Sequence, residues 1–185
     1  MRCPLRLSRF AGYAMPRSRA LSRRGPQVNK RFRFLRNHTP KPMRGAEAVA
    51  SGAVMTAIDT DAKLMVCITT SGRGVALVSK YRPPMPVVVV TPDAQLVRHC
   101  RSVFGQVGVL VPDIESVELN KLVELAAAAA RSFGLADVTD GDQIVVLQRR
   151  KASPETMVRW VLGAHSLVLG KVADGRVGRP ALARA

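Results

Sequence analysis

The sequence predicts an α/β domain, a three-layer sandwich around a five-stranded, mostly parallel sheet whose last strand is an antiparallel edge. Two observations predict it. Short, continuously apolar runs alternate with segments of helical period from residue 47 to residue 148, the pattern of parallel strands covered by helices on both faces. The last two strand-like runs are joined by about seven residues, too few for a crossover helix, so they pair as a hairpin.

Residues 1–28 read as unstructured, and Val28–Arg36 (VNKRFRFLR) as a short helix or an extended arm. Thr39–Arg44 (TPKPMR) is a proline-punctuated linker. In Glu47–Ile58, residues Val49, Ala53, Val54, Ala57 and Ile58 fall at helical spacing and mark one buried face. Leu64–Ile68 is too short for a helix and is bounded by turn residues, so it is a buried strand. Gly72–Tyr81 is a helix stopped by Pro83 and Pro84. Val87–Val90 is β-branched throughout and is a strand. Thr91-Pro92-Asp93 reads as a helix start, a hydroxyl cap with proline and an acid in the first turn; that helix runs to Ser102. Val107–Val111 is the third strand, and Glu115–Phe133 is an alanine-rich helix closed by Gly134. After the turn Asp140-Gly141-Asp142, Gln143–Gln148 and Thr156–Leu162 are the fourth and fifth strands. Trp160 falls in the last of these as core or edge packing. The chain thus divides into a basic arm (1–37), an α/β domain (38–163) and a tail without period (164–185), for which disorder is expected.

Charge is unevenly spread. The formal net charge is +16, yet residues 1–46 carry 13 Lys/Arg and no acid, Glu47 being the first. Before residue 30 the arm uses arginine to the exclusion of lysine, with several serines, and so resembles a mitochondrial transit peptide. The alternatives are a cytoplasmic protein, or an arm that contacts RNA, where phosphate neutralisation is strong and independent of sequence. Cys3, Cys67 and Cys100 form no CxxC pair and read as buried thiols in a reducing compartment. His38, His99 and His165 lack metal-ligand spacing, so neither a metal nor a cofactor is expected. No apolar run is long enough to cross a bilayer, and no membrane contact is expected.

The candidate site is the turn Thr69-Thr70-Ser71-Gly72-Arg73, between the first strand and its helix. Hydroxyls, helix N-terminal N–H groups and a guanidinium at one point suit an oxyanion. The turn lacks the spacing of a P-loop. From local sequence alone a capped βα turn, with Ser71 as N-cap and Arg73 solvated, is the more generic reading. Arg149, Arg150 and Lys151 form a second cluster, either an anion clamp near that turn or a solvated hairpin tip. Lys80 and Arg82, around Tyr81, read as cations at a helix C-terminus.

From His38 to Gly163 the chain resembles the C-terminal, regulatory domain of pyruvate kinase. The phrases that carry the resemblance are His38-Thr39-Pro40-Lys41-Pro42-Met43, Glu47-Ala48-Val49-Ala50 with Ala53-Val54, Thr70-Ser71-Gly72-Arg73, Lys80-Tyr81-Arg82-Pro83 and Pro86–Thr91. Gly134, Gly141-Asp142 and Thr156-Met157 follow in the same order. The resemblance implies a three-layer α/β sheet, subunit contacts with a protein partner or a second copy, and an allosteric sugar phosphate bound at Thr69–Gly74. Gly74 stands where family members often carry a hydroxyl residue, and Arg149–Glu155 has no glycine where the family has a glycine-rich effector loop. No segment resembles the catalytic barrel, so the chain alone is not expected to transfer phosphoryl groups. The expectation is a non-catalytic regulatory or interaction domain; the alternative is a structural subunit of a larger, RNA-containing assembly.

Overall fold

A computed structural model describes residues 26–139, 141–149, 165–173 and 176–178. The described elements are α1 (Pro26–Asn37), α2 (Gly45–Asp59), β1 (Leu64–Ile68), α3 (Arg73–Lys80), β2 (Val87–Thr91), α4 (Ala94–Cys100), β3 (Gln106–Leu110), α5 (Leu119–Ser132), β4 (Gln143–Arg149), β5 (His165–Ala173) and β6 (Arg176–Gly178). One sheet runs β3-β2-β1-β4-β5-β6. Strands β1 to β4 are parallel; β5 is antiparallel to β4, and β6 to β5.

The strands are continuously apolar because both faces are covered. Met65, Cys67, Val87, Val89, Val145 and Leu147 point into one core, with Ala50, Ala53, Val54 and Ala57 of α2 and Val75 and Val78 of α3. Their neighbours Leu64, Val66, Val88, Val90, Ile144 and Val146 point into the other, against Leu122, Val123, Ala126 and Ala130 of α5. The alternation of side chains along a strand thus makes two cores from one sheet.

The expectation of an α/β sandwich with a parallel sheet holds, but several details are corrected. The sheet has six described strands, not five. The antiparallel neighbour of β4 is residues 165–173, and the chain from 150 to 164 separates the two, so there is no seven-residue hairpin. The expected strand Thr156–Leu162 lies outside the described residues. The tail expected to be disordered from 164 carries β5 and β6 instead. Leu167, Val168 and Leu169 are an apolar run paired with Leu147, Val146 and Val145, but Gly170 and Lys171 interrupt it and hide its period. The sheet edge therefore falls on β6.

At the other end, of the two readings of Val28–Arg36 the helix holds, extended to Pro26–Asn37. Phe32 is its anchor, buried in the first core and 5.7 Å from the ring of Tyr81. At α4 the cap is Asp93, whose carboxylate accepts from the Gln95 N–H at 2.7 Å. Thr91 ends β2, and its hydroxyl accepts instead from the Asp93 N–H. α5 begins at Leu119, not Glu115, because Asp113 takes the Ser116 N–H into a local turn.

Candidate functional site

The chain leaves β1 toward β2 on one side, and returns through α5 to β4 on the other. The crevice outside the carboxyl ends of β1 and β4 is therefore a topological switch point, where open α/β sheets place their ligands. The turn Thr69–Arg73 stands at this point. A cavity of ≈ 80 Å³ opens there, lined by Thr69, Ser71, Arg73 and Gly74 from the turn and α3, by Ala46 of α2, and by Leu147 and Gln148 of β4. It has room for an ion but falls well short of the ~300–1,000 Å³ of ligand pockets.

The turn has an internal order that its composition does not reveal. Thr69 is buried, and its hydroxyl accepts from the N–H groups of Ser71 (3.3 Å) and Gly72 (3.2 Å). The N-cap of α3 is Gly72, not Ser71, with φ +69 and ψ −9. The left-handed φ favours glycine; a Cβ there would also meet Leu96 Cδ1 at 2.7 Å, a flexible side-chain end that can turn away. Thr70, Ser71 and Arg73 remain exposed, the last two lining the cavity. Thr69 thus shapes the turn, Ser71 and Gly72 spend their amides on it, and the amides of Arg73 and Gly74 belong to the first helical turn, which has no partners of its own within the helix.

The second cluster is placed only in part. Ile68 pairs with Gln148, so Thr69 and Arg149 sit side by side at the carboxyl ends of adjacent parallel strands. Arg150 and Lys151 lie outside the described residues.

Lys80 does not simply face solvent at its helix end. It pairs with Glu47 of α2 and lies 5.5 Å from the Tyr81 ring centroid, while the Tyr81 hydroxyl donates to the same carboxylate at 3.4 Å. The Lys80 hydrogen bond holds the Glu47 carboxyl below its usual range and holds the ammonium above its own. The sequence separation of 33 between the partners left this link without a sequence signal. Arg82 lies over Phe104, 5.2 Å from its ring centroid.

Cys67 and Cys100 are free and buried. Burial pushes the Cys67 thiol up to about 12, with a smaller push from Cys100, and pushes Cys100 up to about 11. Neither is a nucleophile at neutral pH. A thiol reagent near neutral pH should leave both unmodified until urea unfolds the domain. Because the folded pKa of Cys67 lies above its unfolded value of 9.0, its contribution is intact below pH 9 and is lost as pH rises toward about 12. Cys67→Ala should show a shallower alkaline loss of stability than the wild type; identical slopes would refute this. Among the described residues no group of His, Cys, Asp and Glu could hold a metal ion.

Fold and crevice together define the class: a doubly wound α/β domain with an exposed hydroxyl-glycine-arginine turn at its switch point. The chain belongs to the pyruvate kinase alpha/beta domain family, whose model matches residues 47–157. It is 37% identical over 116 residues to a pyruvate kinase of Dictyostelium discoideum, covering 63% of this chain and 22% of that relative. A pyruvate kinase of Eimeria tenella is 32% identical over 129 residues, covering 70% of this chain and 23% of its own length. The structure of Cryptosporidium parvum pyruvate kinase in complex with ADP superposes with a TM-score of 0.65 at 24% identity, over 82% of this chain and 27% of that one; it shows the shared fold. The chain spans about a fifth of the length of the curated relatives it matches, and the match is to their C-terminal α/β domain.

Proposed function

We propose that this chain is a non-catalytic regulatory or interaction domain of pyruvate kinase type that binds an anion, a sugar phosphate foremost, at the Thr69–Arg73 turn. The observation that carries the reading is the position of the turn. Exposed Ser71 and Arg73 line a crevice at the switch point, with exposed Thr70 between Thr69 and Ser71 in the same turn, beside the strand end that leads into Arg149, Arg150 and Lys151. The cavity admits one phosphoryl group; a second would have to reach the 149–151 cluster. Catalysis of phosphoryl transfer is not part of this reading, because the family match covers the α/β domain alone.

Calorimetry with fructose 1,6-bisphosphate tests it. Micromolar binding by the wild type should weaken about ten- to 150-fold in Arg73→Ala, the loss of one charge-assisted hydrogen bond of ~1.5–3 kcal/mol. No heat from the wild type at millimolar ligand would reduce the turn to a capped helix start.

The charge asymmetry favours a second reading. Thirteen basic residues without an acid in 1–46 suit a mitochondrial transit peptide, or an arm that ties the domain into an RNA-containing assembly. A mature N-terminus beyond Arg19 supports the first of these, and a retained Met1 the second.

A further inference from the structure

The sheet ends at β3 on an open ladder. β3 pairs with β2 on one side and, among the described residues, with no strand on the other. The Gly105 carbonyl accepts from the Val87 N–H, and the Val111 N–H donates to the Thr91 carbonyl, so the odd-numbered residues of β3 turn their backbone groups to β2. By the alternation of a parallel ladder, Gly108 and Leu110 turn theirs outward. The run Gln106–Leu110 (QVGVL) carries no lysine, proline or bulge, the devices that keep an edge from pairing. Phe104 and Leu110, both exposed, flank it, and Val107 and Val109 are only half-buried.

We propose that β3 pairs antiparallel with β3 of a second copy of this chain, across a two-fold axis at Gly108, and joins the two sheets into one. The register centred on Gly108 uses every outward residue of the strand. Gly108 exchanges both backbone bonds with Gly108 of the second copy, and the Leu110 N–H donates to the Gln106 carbonyl. Val107 then stands opposite Val109, a β-branched cross-strand pair. Charge selects the occupant. Exposed Arg98 and Arg101 precede the strand, with Arg82 over Phe104 at the same end, and exposed Asp113 and Glu115 follow it. An antiparallel pair sets the basic end of each copy against the acidic end of the other, whereas a parallel pair sets like against like. A two-fold contact also closes on itself and yields a dimer rather than a fibre. An extended segment of another protein would have to supply both signs of charge in this order, which a second copy already carries.

Sedimentation of the full chain at rising concentration should show a monomer passing into a dimer. Hydrogen exchange followed over the same range reads the surface used. The Gly108 and Leu110 amides should exchange fast in the monomer and lose that fast exchange in the dimer, while those of Val107 and Val109, bonded to β2, stay slow throughout. Leu110→Lys should weaken the dimer about tenfold or more, since it exchanges an apolar contact for a charge at the edge. Phe34→Lys, an equally exposed apolar position on α1, should leave it unchanged. In a Cys3→Ser background, a mixture of Val107→Cys and Val109→Cys chains should form an oxidised cross-link that neither chain forms alone, because the register sets 107 against 109. Far-UV circular dichroism checks that each variant is folded. A monomer at every concentration, unchanged exchange at Gly108 and Leu110, a dimer lost in Phe34→Lys but kept in Leu110→Lys, or cross-linking by either cysteine chain alone would each overturn the proposal.

Discussion

Replacing Gly108 with alanine should cost the domain about 1–3 kcal/mol, the usual penalty of overpacking. Gly108 lies in β3 opposite Val89, on the face that α4 covers. A Cβ built there meets the Val97 Cα at 2.7 Å and the Val97 Cβ at 3.1 Å. The nearest obstacle is backbone, so no rotamer change relieves it, and α4 must move off the sheet or β3 must leave its register. Against a total stability of about 5–15 kcal/mol, this is a large fraction. Gly52 is the control. It sits inside α2, and a Cβ there meets nothing within 4 Å. Gly52→Ala should therefore stabilise by about 0.5–1 kcal/mol, since alanine loses less backbone entropy in a helix. Urea denaturation reads both variants. Equal effects, or a neutral Gly108→Ala, would mean that α4 does not lean on β3 as closely as described.

What was legible in the sequence follows from how each element buries its surface. The runs LMVCI and VVVVT are apolar at every position because each strand is covered twice, so β1 and β2 could be placed to within a residue. α2 showed its face through Ala53, Val54 and Ala57, all buried. The outer strands carry weaker patterns: β3 is only partly covered and ends on exposed Leu110, and β5 is broken by Gly170 and Lys171. The turn was readable as a set of residue types but not as an arrangement. A threonine whose hydroxyl takes amides two and three residues on is a recognised local motif, and that signal could have assigned Thr69 its structural role. Neither the preference for glycine at 72 nor the pairing of Glu47 with Lys80 could be read locally. The first depends on the left-handed backbone that the turn adopts, and the second on α2, which folding brings in from a distance.

Phe32→Ala should be among the most damaging substitutions in the chain, at about 3–5 kcal/mol. The helix α1 is strongly basic, and its exposed positions include Lys30, Arg31, Arg33 and Arg36, so its surface resembles an arm. Its attachment rests on Phe32, 2% exposed, with Leu35 partly buried against the same core. The Phe32 ring stands 5.7 Å from that of Tyr81 at 51°, a tilted pair that contributes about 0.5–1.5 kcal/mol beyond burial. Tyr81 is itself buried and reaches Glu47, so removing the ring opens a void beside the junction of α2 and α3. Phe34, two residues on, is 60% exposed and among the described residues stacks on His38 alone, 4.0 Å between centroids. Phe34→Ala should therefore stay within about 0.5 kcal/mol of the wild type. The contrast between two phenylalanines on one basic helix separates a docked element from an appendage. If Phe32→Ala proves as mild as Phe34→Ala in urea denaturation, α1 is an arm after all and the domain begins beyond it. If it is costly, residues 26–37 belong to the folded body, and their cations are held at fixed positions on its surface.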